Sequence, residues 1–277
     1  MPLPLVEFGP LGRAVPRVGF GCGRIVGRST LRESSRLLEA ALDLGVRYFD
    51  VAPSYGMGTA EEVVGAVAGG MKDVVVATKV GVPRGNYSSR GNLLRKFGKP
   101  LLDRARFLKS AARTFYAKGP VAPGTRPRYD FTPDAVRRSL DLSLRLLRRD
   151  RADIFLAHEP HLDDLGEGLA ATFTSLRSEG RIGCFGVGVD VRSTPWAPFG
   201  EVWQSGWPGG RVAAGYGTAS CVFHGVIRYS EKSRSGETTM PPARLLREAM
   251  TAAPGAIFLV SVSRPERLRE LLSEVLA

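Results

Sequence analysis

Cysteine is scarce in this 277-residue chain: Cys22, Cys184 and Cys221 are all there is, an odd number with no C-x-x-C spacing. That excludes a disulfide framework and a thiolate zinc site. Histidine is equally rare, with three in all. His158 and His161 lie three apart across Pro160 with no third ligand at suitable spacing, so no metal site is expected. No run approaches the roughly 18 apolar residues a membrane span needs. Met1–Pro10 lacks both a basic start and a continuous apolar stretch, and a cytoplasmic chain without a membrane partner is expected. There are no repeats and no low-complexity tracts. Acidic residues are outnumbered, 27 against 39 basic, for a net charge of +12. No aromatic-interleaved basic motif or recognition-helix pattern accompanies that excess, so nucleic acid is not expected as a partner.

What is present is a regular alternation. Short β-type apolar runs occur at Val18–Gly21, Tyr48–Val51, Val74–Thr78, Ile154–Ala157, Cys184–Val187, Val202–Ser205, Cys221–Val226 and Ile257–Val260. Amphipathic stretches separate most of them. Thr30-Leu31-Arg32-Glu33, Thr59-Ala60-Glu61-Glu62 and Ser263-Arg264-Pro265-Glu266 have capping-box spacing, and Thr132-Pro133 precedes apolar positions at Val136, Leu140, Leu144 and Leu147. Further helices end near Gly180 and before Pro254-Gly255. Eight strands nearly all followed by helices predict an α/β fold, a single (β/α)8 barrel spanning 1–277. Phe8–Val18, with Gly9-Pro10-Leu11-Gly12 near its start, reads as a β-hairpin plug for the barrel's lower end. The Val191–Glu201 connection is too short for a full crossover helix with its loops.

In such a barrel, chemistry sits at the C-terminal ends of the strands. The second strand runs into Asp50 and Tyr55, the third ends on Lys79, and the fourth on His158. A lysine closing an apolar strand is expensive to bury without a carboxylate, and Asp50 is the obvious partner. A phenol with a reference pKa of about 10 is a poor acid at neutral pH. The nearby Lys79 is expected to lower that value, while a neutral His158 orients a substrate oxygen.

Phe49-Asp50-Val51-Ala52-Pro53-Ser54-Tyr55-Gly56, Thr78-Lys79-Val80 and Leu156-Ala157-His158-Glu159-Pro160 together resemble the aldo-keto reductases, in wording their sugar and galactose dehydrogenase-like branch. The likeness is dense from Val18 to Gly188 and thinner afterwards. It implies catalytic roles for Asp50, Tyr55, Lys79 and His158, with NADPH as cofactor and a carbonyl or alcohol as substrate. It also implies cofactor contacts at Gln204, Ser261, Ser263, Arg264 and Arg267, since Ser261-Val262-Ser263-Arg264-Pro265-Glu266-Arg267 is similar to the family's phosphate-holding turn. A helix N-terminus with a hydroxyl and two guanidiniums is a sensible anion site. The chain departs from the family pattern at Gly188-Val189, where a Ser-Asn pair is usual, and at Ser261 and Leu271, where a Gly and an Asn are usual.

Between Gly81 and Tyr129 stand twelve Lys and Arg against the single acid Asp103, so this one segment carries +11. The 81–130 stretch is expected as an inserted basic lid over the catalytic face after the third strand, with a helix at Leu101–Phe115. Arg84 and Arg128 within it are expected to meet a small substrate that is anionic or tethered to an acidic carrier protein. Two other readings of the same residues remain: a non-redox epimerase, dehydratase or lyase using Tyr55 and Lys79, and a catalytically retired scaffold that binds NADPH.

Overall fold

The computed structural model describes residues 2–25, 30–84, 127–190, 198–207, 215–228 and 240–277. The body of the basic insertion at 85–126, with its expected helix, and residues 191–197 of the short connection lie outside that set.

Two strands form an N-terminal hairpin, β1 (Leu5–Phe8) and β2 (Arg13–Pro16), joined by a 3-10 turn at Gly9–Leu11. Eight more make the barrel: β3 (Val18–Gly21), β4 (Tyr48–Asp50), β5 (Val75–Val80), β6 (Ala152–His158), β7 (Ile182–Val189), β8 (Val202–Gly206), β9 (Cys221–His224) and β10 (Ile257–Val260). Neighbours pair in parallel around the ring, and β10 closes onto β3. The outer layer comprises α1 (Leu31–Asp43), α2 (Ala60–Ala68), α3 (Pro133–Leu147), α4 (Glu167–Ser178), α5 (Pro242–Ala252) and α6 (Pro265–Leu276). None of the described helices is long and apolar enough to cross a membrane.

The period-2 alternation of each strand divides the apolar residues into two cores. Outward residues such as Phe20, Phe49, Val76, Phe155 and Phe223 pack beneath the helices. The stripe Val136, Leu140, Leu144 and Leu147 of α3 is buried among them. Inward residues such as Tyr48, Val75, Ala77, Ile154, Leu156 and Val222 fill the barrel, and Phe8 and Val15 of the hairpin complete that same cluster. The hairpin turn lies against Thr218–Ser220, just ahead of β9, so it plugs the N-terminal end of the barrel as the sequence suggests.

The helix caps are less regular than their spacing. Thr30 makes the full reciprocal box with Glu33. Thr59 does not, because its hydroxyl donates to the Gly56 carbonyl at 2.8 Å. The Thr132 hydroxyl turns to Asp130, and Pro265 moves the start of α6 so that Arg264 flanks it without a side-chain cap.

Candidate active site

The same alternation that fills the barrel with apolar groups ends, one step further along each strand, in a polar layer at the C-terminal mouth. After Tyr48 the next inward position is Asp50; after Ala77, Lys79; after Leu156, His158; after Val202, Gln204; after Val222, His224; and after Leu259, Ser261. Gly21 and Gly188 occupy the remaining two places. Pairing of His158 with Gly188, and of Gly188 with Gln204, keeps them level across β6, β7 and β8.

Lys79 is the hub. Its ammonium donates to Asp50 Oδ1 at 2.5 Å, to Tyr55 Oη at 3.2 Å and to the Val51 carbonyl at 3.3 Å, so three N–H groups meet three acceptors. Both members of the Asp50–Lys79 pair are buried, with side-chain exposures of 4% and 1%. The Nζ also lies 4.6 Å from the centre of the Tyr55 ring. Edge-on to that ring, at 5.9 Å and 88°, stands His158.

Electrostatics correct one expectation. Burial pushes the Tyr55 phenol up; Lys79 pulls it down and Asp50 pushes it up again, leaving it at about 12. Lys79 therefore moderates the phenol without bringing it below its ordinary value, because desolvation of the phenolate is the larger effect. Burial also disfavours the Lys79 ammonium, yet Asp50, Tyr55 and their hydrogen bonds outweigh it, so Lys79 stays charged beyond the usual lysine range. Burial, then Lys79, then His224 hold His158 well below the usual imidazole range, so the ring is neutral at pH 7. His224 is lowered as well, chiefly by burial.

The other expected site residues divide. Gln204 is buried, and its Oε1 has no hydrogen-bond partner among the described residues; the same is true of His158 Nδ1. Ser261 donates to the Gly21 carbonyl at 2.7 Å. Ser263, Arg264 and Arg267 are exposed at the start of α6, with Arg267 in a surface pair with Glu270 at 3.0 Å. Arg84 is not available to a substrate in this arrangement, because its guanidinium is engaged by Glu61 and by the Gly58 carbonyl. Arg128 forms an exposed pair with Asp163 at 3.0 Å, outside the polar layer.

Two residues of the site region were missed by sequence reasoning. His224 carried a signal, since inward Val222 places the next inward side chain at the mouth. Glu61 carried none, being one of two adjacent acids in a helix's first turn.

A parallel eight-stranded barrel with a buried ion pair, a phenol and a neutral imidazole at its mouth defines a class of barrel enzymes acting through side chains on strand ends. The profile of the Aldo/keto reductase family matches residues 17–203, and the chain belongs to that family. It is 32% identical over 185 residues to D-threo-aldose 1-dehydrogenase of a Pseudomonas species, covering 64% of this chain and 51% of that protein. It is 26% identical over 196 residues to L-galactose dehydrogenase of Arabidopsis thaliana, covering 68% and 50%. The chain thus spans about half the length of the curated relatives it matches. Among solved structures, an aldo-keto reductase from Bacillus halodurans in its holo form superposes with a TM-score of 0.67 at 17% identity, over 99% of this chain and 91% of that one. An aldo-keto reductase from Klebsiella pneumoniae in complex with NADPH gives 0.61 at 18% identity, over 100% and 91%. At these identities the likeness concerns the fold.

Both lowered imidazoles bear on stability. Each binds its proton more weakly in the folded chain than in the unfolded one, so their contribution is complete above about pH 6.5 and is lost as pH falls below it. The unfolding free energy, and with it the melting temperature, is expected to decline between pH 6.5 and 5, before carboxylates titrate, the free energy by up to about 1.4 kcal/mol per pH unit for each of these two histidines. His158→Asn should flatten that decline. An unchanged slope in the variant would count against a buried neutral His158.

Proposed function

We propose that this chain interconverts a carbonyl and an alcohol on a small substrate with NADPH as cofactor, Tyr55 supplying the proton. The contact that carries this reading is Lys79 Nζ lying between Asp50 Oδ1 and Tyr55 Oη at the barrel mouth. At about 12 the phenol holds its proton at neutral pH and is a loaded donor. The Lys79 ammonium stabilises the phenolate left when that proton departs, and Asp50 keeps the ammonium charged and in place. Neutral His158 hydrogen-bonds the substrate oxygen, fixing it within reach of Tyr55.

When bound, the nicotinamide would supply the hydride. Two observations support a fit. Gln204 presents a buried amide oxygen with no partner among the described residues, and no side chain caps α6, which follows Ser263 and Arg264 and carries Arg267 in its first turn. A helix N-terminus with two guanidiniums suits a phosphate, and the pair suits a 2′-phosphate in particular. The +11 segment, which leaves the barrel after Lys79, supports an anionic or carrier-tethered substrate on composition alone. Arg84, held by Glu61, adds nothing to that part of the reading.

Fluorescence titration of the parent with NADPH and NADH tests the cofactor assignment. Removing both guanidiniums, Arg264→Ala with Arg267→Ala, is expected to weaken NADPH by about 10²- to 10⁴-fold and NADH little, since charge-assisted hydrogen bonds contribute about 1.5–3 kcal/mol each. Equal losses would move the phosphate site elsewhere. Failure of the parent to bind either cofactor would favour the non-redox reading, for which the bare Gly188-Val189 stretch beside Gln204 is the specific observation.

A further inference from the structure

Outside the polar layer, but against its back, lies a second charge pair, its carboxylate buried and its guanidinium half-buried, that the reaction above does not use. Glu61, in the first turn of α2, is fully buried. Its Oε1 accepts the Thr78 hydroxyl at 2.6 Å, and its Oε2 accepts the Arg84 guanidinium. Arg84 in turn donates to the Gly58 carbonyl at 2.9 Å. Two segments therefore meet on this carboxylate, the strand residue next to Lys79 and the chain just after β5, and Arg84 carries the link on to the turn that follows Tyr55.

That turn is strained. Gly56, Met57 and Gly58 have φ of 56°, 58° and 91°, three left-handed residues in succession, and Met57 has a side chain. Such a conformation is disfavoured at a non-glycine residue and persists where its surroundings fix it. Two side chains hold its carbonyls. Thr59 donates to Gly56 O at 2.8 Å and Arg84 to Gly58 O. A buried ion pair is weak as a source of stability compared with apolar packing of the same volume. One that ties the Tyr55 turn to the Lys79 strand has another use.

Resting on the reading of Tyr55 as proton donor, we propose that Glu61 and Arg84 are positioning residues, a clamp that fixes the left-handed turn after Tyr55 and so sets the hydroxyl at hydrogen-bond distance from Lys79. Thr78 registers Glu61 on the same strand that presents Lys79. A misplacement of about 1 Å at a reacting group can lower turnover about 100-fold, so small slack in the turn has a large kinetic effect.

The test uses the full chain, NADPH and glyceraldehyde as the probe substrate, with amide deuterium uptake measured in parallel. Arg84→Met is expected to lower kcat by about 10- to 100-fold with KM changed less than about threefold. It should raise uptake in a 52–60 peptide while leaving the 2–16 hairpin protected. Adding Met57→Gly, which relieves the strain, should recover part of kcat. Should Arg84→Met not fold, Thr78→Val removes a single hydrogen bond to Glu61 and carries the same readouts with smaller effects. A lowered melting temperature with unchanged kcat, unchanged uptake at 52–60, or no recovery from Met57→Gly would overturn the clamp. A parent inactive with the probe counts against the proposed reaction instead, and the exchange measurement then still decides whether the clamp exists.

Discussion

Tyr55→Phe is expected to reduce turnover by about 10²- to 10⁴-fold while leaving the melting temperature within a few degrees of the parent. The ring of Tyr55 contributes packing against Gly23, Lys79 and His158, and phenylalanine keeps all of that. The hydroxyl is removed, and with it the proton that the phenol holds up to about pH 12. Lys79 loses one of three acceptors but keeps Asp50 and the Val51 carbonyl, so the ammonium remains paired. Steady-state kinetics on a carbonyl substrate, together with a thermal melt, separate the two effects. Near-parental kcat in this variant would remove Tyr55 from the chemistry.

Lys79→Met should have the largest combined effect on stability and turnover. Truncating one partner of a buried ion pair leaves the other charge uncompensated, and such changes cost about 3–5 kcal/mol. Asp50, with 4% of its side chain exposed, has no solvent to turn to. On the proposed reaction turnover falls as well, because the phenolate left by proton transfer from Tyr55 would lack its cation. The double variant Asp50→Asn with Lys79→Met separates these two roles. Neutralising both partners should return much of the lost stability, measured by denaturant unfolding, and none of the turnover. If the double variant is as unstable as the single one, the pair is not the source of the loss. If turnover returns with stability, Lys79 serves folding alone.

Much of this was legible in the sequence because one rule, the alternation of side chains along a strand, governs both core and site. Apolar runs such as Val74–Thr78 and Ile154–Ala157 could be read as strands, and the polar residue that ended each could be read as a mouth residue. The hairpin was legible from Gly9-Pro10-Leu11-Gly12. Caps were less so, since the Thr59 hydroxyl has a choice between a helix N–H and the Gly56 carbonyl, and spacing does not say which it takes. The phenol's behaviour was misjudged for a related reason. A sequence shows the cation beside Tyr55 but not the depth of burial, and burial dominates. The partner of Arg84 was hidden because ion pairs across 23 positions depend on how a helix docks, and nothing local distinguishes Glu61 from Glu62.

Closure of β10 onto β3 joins Val260 to Phe20, and the Ser261 hydroxyl to the Gly21 carbonyl 240 positions away. Asp50, Tyr55, Lys79 and His158 are all synthesised in the first 158 residues, yet the wall they stand on is continuous only when the last strand docks. A nascent or truncated chain can hold all four of these side chains without holding them in register. Two unpaired strand edges, one at β3 and one at the growing end, stay open until the final stretch arrives, and open edges invite mispairing. Contacts of such long range form slowly, so the arrival of the C-terminal strand sets when this chain becomes competent as well as when it becomes compact.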